Sequence, residues 1–435
     1  MPDRPNFIVF YTDDHGYGDL SCVGPTDVRT PHLDALAATG VRFTNWYSNC
    51  PVCSPSRASL LTGQYPARAG VRSILSGKRD TEGLPAGKPT LASALRQHGY
   101  QTAMFGKWHL GLTEAARPHH FGFDEWFGFL AGCIDYYSHL FVYEMARGVN
   151  PIHDLWENGK EFWANGRYMT EMITERALDF LDRADQPFFL YLPYNAPHYP
   201  MHAPEEVVAR FDHLPWDRQI MAAMIACVDD GVGEIVGKLE SLGLRNNTCL
   251  FFSSDNGPSR ESRNWLDGTP DHYYGGTTGG LRGHKGSLFE GGIREPALIN
   301  WPAGLPQGIV RDQMGAMMDL MPTFLTMAGV DPADYDLDGR DALPMIADGA
   351  PTPHERLFWE YGKQTAVRQG DHKLVLNGVE AEAAEPYPPH LADLAEDFSE
   401  QHNLYDEEPD TARELEQAAT AWCADLEAQW QQAHP

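Results

Sequence analysis

Five short apolar runs constrain this chain more than any other feature: NFIVFY (6–11), YQTAMFG (100–106), PFFLYLP (187–193), TCLFFSS (248–254) and PALIN (296–300). Each is too short for a helix and too continuously apolar for a strand with one wet face. Strands buried on both faces belong to a mostly parallel sheet covered by helices. The stretches between them carry helix signals. Thr30 offers an N-cap, Pro31 a first helical residue and Gly40 a stop, and PTLASALRQHG repeats the logic up to Gly99. Residues 218–243 read as one long helix. Strands alternating with helices predict an α/β layered fold.

After MDLMPTFLTMAG the composition changes, and ADGAPTPHE (347–355) reads as a linker. Beyond it RLFWEY, QTAVRQ and HKLVLNG predict short antiparallel strands, and the segment from Pro409 predicts a closing helix. The expectation is a large α/β domain over 1–350 and a small C-terminal α+β domain with an antiparallel sheet over 351–435. A chain of 435 residues, 42% of them hydrophobic, can bury so large a core. With 33 Lys and Arg against 61 Asp and Glu the formal charge is -28, which disfavours nucleic acid and anionic membranes as partners. No apolar run reaches bilayer length. The start, MPDRPN into FIVFYTDD, has no basic-then-apolar leader, so the sequence as given reads as cytoplasmic; a trimmed leader would make it periplasmic or secreted. Seven scattered cysteines suit a reducing compartment.

Four of the five runs are followed by polar residues. Asp13 and Asp14 follow the first, Lys107 and His109 the second, His198 the third, and Asp255 and Asn256 the fourth. In open α/β sheets ligands bind beyond the carboxyl ends of the strands, so these groups share one edge. Asp13, Asp14, Asp255 and Asn256 offer only oxygen, which suits a hard cation, Ca²⁺ or Mg²⁺. Singly, each pair is a common turn or capping device; together, crowded carboxylates require neutralisation. Arg57, Lys107 and Lys285 add positive charge at an acidic edge, as a tetrahedral anion would need. Cys50 and Cys53 are spaced C-x-x-C, the spacing of a zinc half-site or a redox pair, although no second C-x-x-C is present to complete a zinc site.

Cys53-Ser54-Pro55-Ser56-Arg57 is the C-x-P-S-R signature, and with it the chain resembles the type I sulfatases, arylsulfatase-like members of the alkaline phosphatase superfamily. The resemblance spans nearly the whole chain: PNFIVFYTDDHGYGDLSC, CSPSRASLLTG, GKWHLG, GCIDYYSH, NAPH, SSDNG and LRGHKGSLFEGGIREP occur in order, and AEDFSEQHNLYDEEPD resembles the C-terminal segment. It implies an alkaline-phosphatase-like fold and hydrolysis of aryl or carbohydrate sulfate monoesters to alcohol and sulfate. It further implies that a formylglycine-generating maturation enzyme converts Cys53 to Cα-formylglycine, reading the cysteine, Pro55 and Arg57, with Cys50 a bystander. One hydroxyl of the gem-diol would attack sulfur and the other would let it collapse and expel sulfate. By the same resemblance Asp13, Asp14, Asp255 and Asn256, with the converted Cys53, hold Ca²⁺ or Mg²⁺, and Arg57, Lys107 and Lys285 hold sulfate oxygens. His109 takes a proton, His198, with Lys285, protonates the leaving oxygen, and Tyr136, Ser138 and His139 line the substrate. Hydrolysis of phosphonate or phosphate esters is the rival within the superfamily. Asn256 speaks against it, because the phosphonate hydrolases favour Asp-His where this sequence has Asp-Asn. A sulfatase fold without turnover would lack the nucleophile or a metal carboxylate, and a redox module would leave every motif but the cysteine pair unexplained. The Gly- and aromatic-rich segment 264–280 resembles a pocket-lining loop.

Overall fold

The apolar runs form the middle of a large mixed sheet in the computed structural model, which describes residues 4–142, 151–260, 275–380 and 385–433. Among the described residues the sheet has ten strands. In spatial order they are Ile309–Arg311, Val41–Phe43, Ala297–Asn300, Thr248–Ser254, Asn6–Thr12, Phe188–Pro193, Gln101–Lys107, Glu125–Phe129, Trp156–Glu157 and Lys160–Glu161. The five strands from Thr248–Ser254 through Glu125–Phe129 are mutually parallel. PALIN runs antiparallel beside them.

Alternation within each central strand explains the continuous apolar runs. Phe7, Val9 and Tyr11 enter one core cluster and Ile8 and Phe10 the other; Phe189 and Tyr191 divide from Leu190 and Leu192 in the same way. Helices Cys53–Thr62, Leu91–Gln97 and Leu320–Met327 cover the first face, and Pro31–Ala38, Met169–Arg183 and Trp216–Ser241 the second. Thr90 caps its helix as the sequence predicts, in a reciprocal box with Ser93. Thr30 does not cap the helix that follows it. The first amides there, His32 and Leu33, donate to the Asp229 carboxylate at 3.1 and 2.8 Å, so the cap comes from the long helix behind. The Thr30 hydroxyl instead bonds Ser21 and Asp34.

The C-terminal strands Leu357–Tyr361, Gln364–Gln369 and His372–Leu376 form an antiparallel sheet as expected, with a fourth strand, His390–Asp393, that the sequence reading lacked. One face packs on Tyr47, Leu288, Phe289 and Ile293 of the main body, and the other on helix Pro409–Ala433. Among the described residues no helix is long and apolar enough to cross a membrane.

Candidate active site

Strand register assembles the acidic pair. Thr12 lies opposite Ser254, so Asp13 and Asp255, the next residues of two neighbouring parallel strands, emerge side by side. Asp14 turns the chain in the left-handed region, φ 62°, where Asp is among the few tolerated side chains. Its amide donates to Asp255 Oδ1 at 3.2 Å. Asn256 Nδ2 donates to Asp14 Oδ1 at 2.7 Å and to the Gly257 carbonyl at 2.9 Å. That leaves Asn256 Oδ1 buried with no hydrogen-bond partner, as is Asp13 Oδ1. Orphaned buried oxygens are rare in native proteins. Two of them in an all-oxygen donor set fit a hard divalent cation.

Cys53 is the first residue of helix Cys53–Thr62 and Arg57 stands one turn later on the same side, both buried. Arg57 Nε and Nη2 reach Asp255 Oδ2 at 2.9 and 2.6 Å, and Nη2 lies 3.6 Å from Asp13 Oδ1. Lys107 Nζ bonds Asp13 Oδ2 at 2.6 Å, and Lys285 Nζ sits 2.9 Å from the Asp14 carboxylate. His198 Nε2 is 3.6 Å from Asp14 Oδ2. Ligand atoms of Asp13, Asp14, Cys53 and His198 all lie within 4.8 Å of one another. The structure thus gathers Asp13, Asp14, Cys53, Arg57, Lys107, His198, Asp255, Asn256 and Lys285 around one point.

Electrostatics at that point favour ionisation unevenly. Burial opposes the Asp13 charge, but Lys107, His198 and Arg57 outweigh it and hold the carboxyl well below the usual range. Burial and then the neighbouring Asp13 charge raise Asp255 despite Arg57, a repulsion that a bound cation relieves. Burial pushes the Cys53 thiol up to about 12, and Cys50 is raised for the same reason. Burial thus disfavours the thiolate that disulfide exchange needs at either cysteine.

Two histidines complete the constellation. His109, with φ 53°, places Nε2 3.1 Å from the Leu75 carbonyl, so that nitrogen carries the hydrogen and the buried Nδ1 is a bare acceptor. Burial, reinforced by Lys107, holds its pKa well below the ordinary value, so the ring is neutral. His198 Nδ1 lies 2.6 Å from the Tyr199 carbonyl, which leaves Nε2 to face the acidic cluster. Tyr136 is buried, and its hydroxyl donates to the carbonyls of Asn195 and His198, both at 2.8 Å, bracing the segment that presents His198. The Ser138 hydroxyl bonds Asp135 at 2.7 Å, and His139 Nε2 meets the Arg167 carbonyl at 3.1 Å. Of segment 264–280, residues 264–274 lie outside the described residues; Thr277 is tied to Asp19 at 2.8 Å.

Three contributors escape the sequence reading. Tyr11 bonds Ser56 at 3.0 Å beneath the Arg57 guanidinium, 5.4 Å from the ring; its signal is a polar aromatic two residues before the acidic pair. Leu75 acts through its backbone, donating nothing a sequence pattern could show: its amide bonds Ser54 Oγ at 3.1 Å and its carbonyl orients His109. Gln364, from the C-terminal sheet, donates to the Gly286 carbonyl at 2.8 Å and accepts from the Leu288 amide at 3.1 Å, which fixes the turn carrying Lys285.

Known proteins agree with this architecture. A family profile described as Sulfatase matches residues 5–330, and one described as N-sulphoglucosamine sulphohydrolase, C-terminal, matches residues 283–422. The chain is 35% identical to N-acetylgalactosamine-6-sulfatase of Sus scrofa, with 86% of this chain and 72% of that protein covered. It is 33% identical to Arylsulfatase A of Homo sapiens, with 92% and 83% covered. The solved structure of Ps i-CgsB superposes with a TM-score of 0.85 at 32% identity, covering 97% of this chain and 93% of that one. Phosphonate Monoester Hydrolase of Agrobacterium radiobacter, at 21% identity and a TM-score of 0.66, shares the fold. A four-strand convergence of oxygen ligands and cations at the head of the C-x-P-S-R helix, with relatives at this level over most of the chain, means that the chain belongs to the sulfatase family and is a sulfuric ester hydrolase.

Proposed function

We propose that this sulfatase hydrolyses sulfate monoesters of carbohydrates, accepting aryl sulfates as simpler substrates, with Cys53 matured to Cα-formylglycine and a divalent cation, Ca²⁺ or Mg²⁺, held by Asp13, Asp14, Asp255 and Asn256. The observation that carries the reading is Cys53 itself: a protonated, buried thiol at the first turn of a helix, inside a cage of acceptor oxygens and three basic side chains. Hydrated formylglycine supplies one hydroxyl to attack sulfur and a second through which sulfate is released. The cation supplies Lewis-acid polarisation of the oxygens it touches.

The chain's own residues do the rest. Lys107, Lys285 and Arg57 set positive charge around the sulfate oxygens, where a low-dielectric site makes it most effective. His109 Nδ1, bare and neutral, accepts a proton. His198 Nε2 passes a proton to the leaving alcohol oxygen, with Lys285 beside the same Asp14 carboxylate. Support for a sugar substrate comes from the neighbours: Ps i-CgsB was also solved in complex with k-i-k-neocarrahexaose, and the chain's relatives include N-acetylgalactosamine-6-sulfatases. Against phosphonate hydrolysis stands Asn256, whose amide nitrogen is committed to Asp14 while its oxygen stays open. The maturation enzyme is the protein partner this reading requires.

The test compares preparations made with and without that enzyme. The peptide containing Cys53 should be lighter than its encoded mass in proportion to sulfatase turnover, while Cys50 keeps its thiol. Full activity from wholly unconverted Cys53 overturns the reading.

A further inference from the structure

Between strands Gln101–Lys107 and Glu125–Phe129 the chain makes two short turns, Glu114–Ala116 and Pro118–Phe121. They bring three ligand atoms together at the surface. Glu114 Oε1 is 3.2 Å from His119 Nε2 and 3.6 Å from His120 Nε2. Ligands at about 2.0–2.2 Å from a tetrahedral ion stand roughly 3.3–3.6 Å apart, so the two carboxylate–imidazole separations are close to those a metal would impose, and all three ligand atoms lie within 4.8 Å of one another. We propose that Glu114, His119 and His120 form a zinc site of the His₂Glu type, with water in the fourth position, separate from the oxygen-only cation cage.

The surroundings orient each ligand. Arg117 Nη1 sits 2.8 Å from Glu114 Oε2, which leaves Oε1 to the imidazoles. Arg117 is itself held, over the Trp156 ring at 4.5 Å and against the Gly159 carbonyl at 3.4 Å. Such outer partners fix a ligand's direction. The His119 ring lies nearly parallel to Trp126, 15° between planes and 6.3 Å between centroids. The two imidazole centroids are 4.1 Å apart, and burial, followed by the neighbouring His120, lowers the pKa of His119. Neutral imidazoles are what zinc requires. The Glu114 and His120 side chains are 65% and 45% exposed, so an ion enters freely. Its effect would be a staple: Trp108, between Lys107 and His109, donates from Nε1 to the Ala116 carbonyl at 2.7 Å, inside the turn the metal would close.

The experiment titrates ZnCl₂ calorimetrically into the full chain kept in saturating Ca²⁺, so that the oxygen cage is occupied. Wild type should bind an equivalent of Zn²⁺ that is weakened at least ~10-fold in Glu114→Gln and in the double variant His119→Ala/His120→Ala. Zn²⁺ should raise the Tm of wild type and not that of the double variant. Sulfatase turnover in Ca²⁺ alone should be unchanged in both, which certifies their fold. If the double variant does not fold, His120→Ala, at the more exposed of the two histidines, replaces it. Identical Zn²⁺ titrations of wild type and variants, or no zinc-dependent heat in wild type, overturn the proposal and leave the cluster as hydrogen-bonded surface groups.

Discussion

At Cys53 two side chains three residues apart in sequence carry different expectations. Cys53→Ser keeps size and helix position but cannot become an aldehyde, so turnover should fall by ~10³-fold or more while Ca²⁺ binding and Tm hold, because a serine lacks the second hydroxyl that releases sulfate. Cys50→Ser should retain turnover. Loss of activity only in the Cys50 variant would move the nucleophile. His198 is separable by substrate. Its Nε2 faces the Asp14 side of the cluster, so His198→Ala should cost sugar sulfates ~10²–10⁴-fold in kcat, the usual range for a general acid, and nitrophenyl sulfate under ~10-fold because nitrophenolate leaves unprotonated. Equal losses on both substrates would transfer the acid role to Lys285. For Asp13, whose Oδ1 is orphaned in the cage, Asp13→Ala should abolish Ca²⁺ binding measured by calorimetry and reduce turnover by more than ~100-fold, beyond the effect of an outer-shell partner. Undiminished Ca²⁺ affinity would remove Asp13 from the ligand set.

At the scale of elements, the segment after the C-x-P-S-R helix links the small sheet to the chemistry. Arg72 makes a two-pronged contact with Glu360, Nε–Oε1 2.7 Å and Nη2–Oε2 2.8 Å, and a third bond to Glu427 of the last helix. Three residues on, Leu75 bonds both Ser54 and His109 through its backbone. Arg72→Ala should therefore lower kcat about 10-fold with KM little changed, as a sub-ångström loss of alignment does, and Arg72→Lys should recover part of it. A rise in KM with kcat intact would deny the segment a positioning role. This linkage was not legible in the sequence, because it runs through main-chain atoms and ion pairs between residues hundreds of positions apart. What the sequence shows plainly is periodicity and punctuation: the central strands, the Thr90 cap and the polar residues at strand ends. The Thr30 cap fails because Asp229 approaches from another helix. The fourth strand of the small sheet, only His390–Asp393, is hidden behind two prolines and has too few residues to show a period. At the site, residue types pointed to the oxygen-bearing side chains that the structure gathers, whereas the sequence could not show that the Tyr136 ring is buried and its hydroxyl bonded to the His198 carbonyl.

For the molecule as a whole, the small sheet is bolted to the large body by charges that water cannot reach. Lys373, fully buried, donates to Glu290 at 2.8 Å and forms an ion pair with Glu400 at 3.1 Å. Lys373, ahead of Arg294 and Arg368, holds Glu290 down to about 2 against burial, while burial raises Glu400. Arg368 bonds the buried Tyr47 hydroxyl, Trp359 Nε1 donates to the Ser48 carbonyl at 2.8 Å, and Gln364 grips the turn beside Lys285. Each of these four donors comes from the small sheet and meets an acceptor in residues 47–290. Cutting the chain at 350 would strand Glu290 without its lysine and uncover Tyr47, Leu288 and Phe289. A division at 350/351 is thus one of topology, and we expect no independent folding on either side of it. Lys373→Met should cost about 3–5 kcal/mol, the usual penalty for leaving one partner of a buried ion pair uncompensated, and should lower a single cooperative denaturant transition, not split it into two. A 1–350 fragment should be insoluble or lack native near-ultraviolet dichroism. A soluble, Ca²⁺-binding 1–350 fragment with its own cooperative transition would show instead that the active-site cage stands without the small sheet, and that Gln364 and Arg72 only trim its geometry.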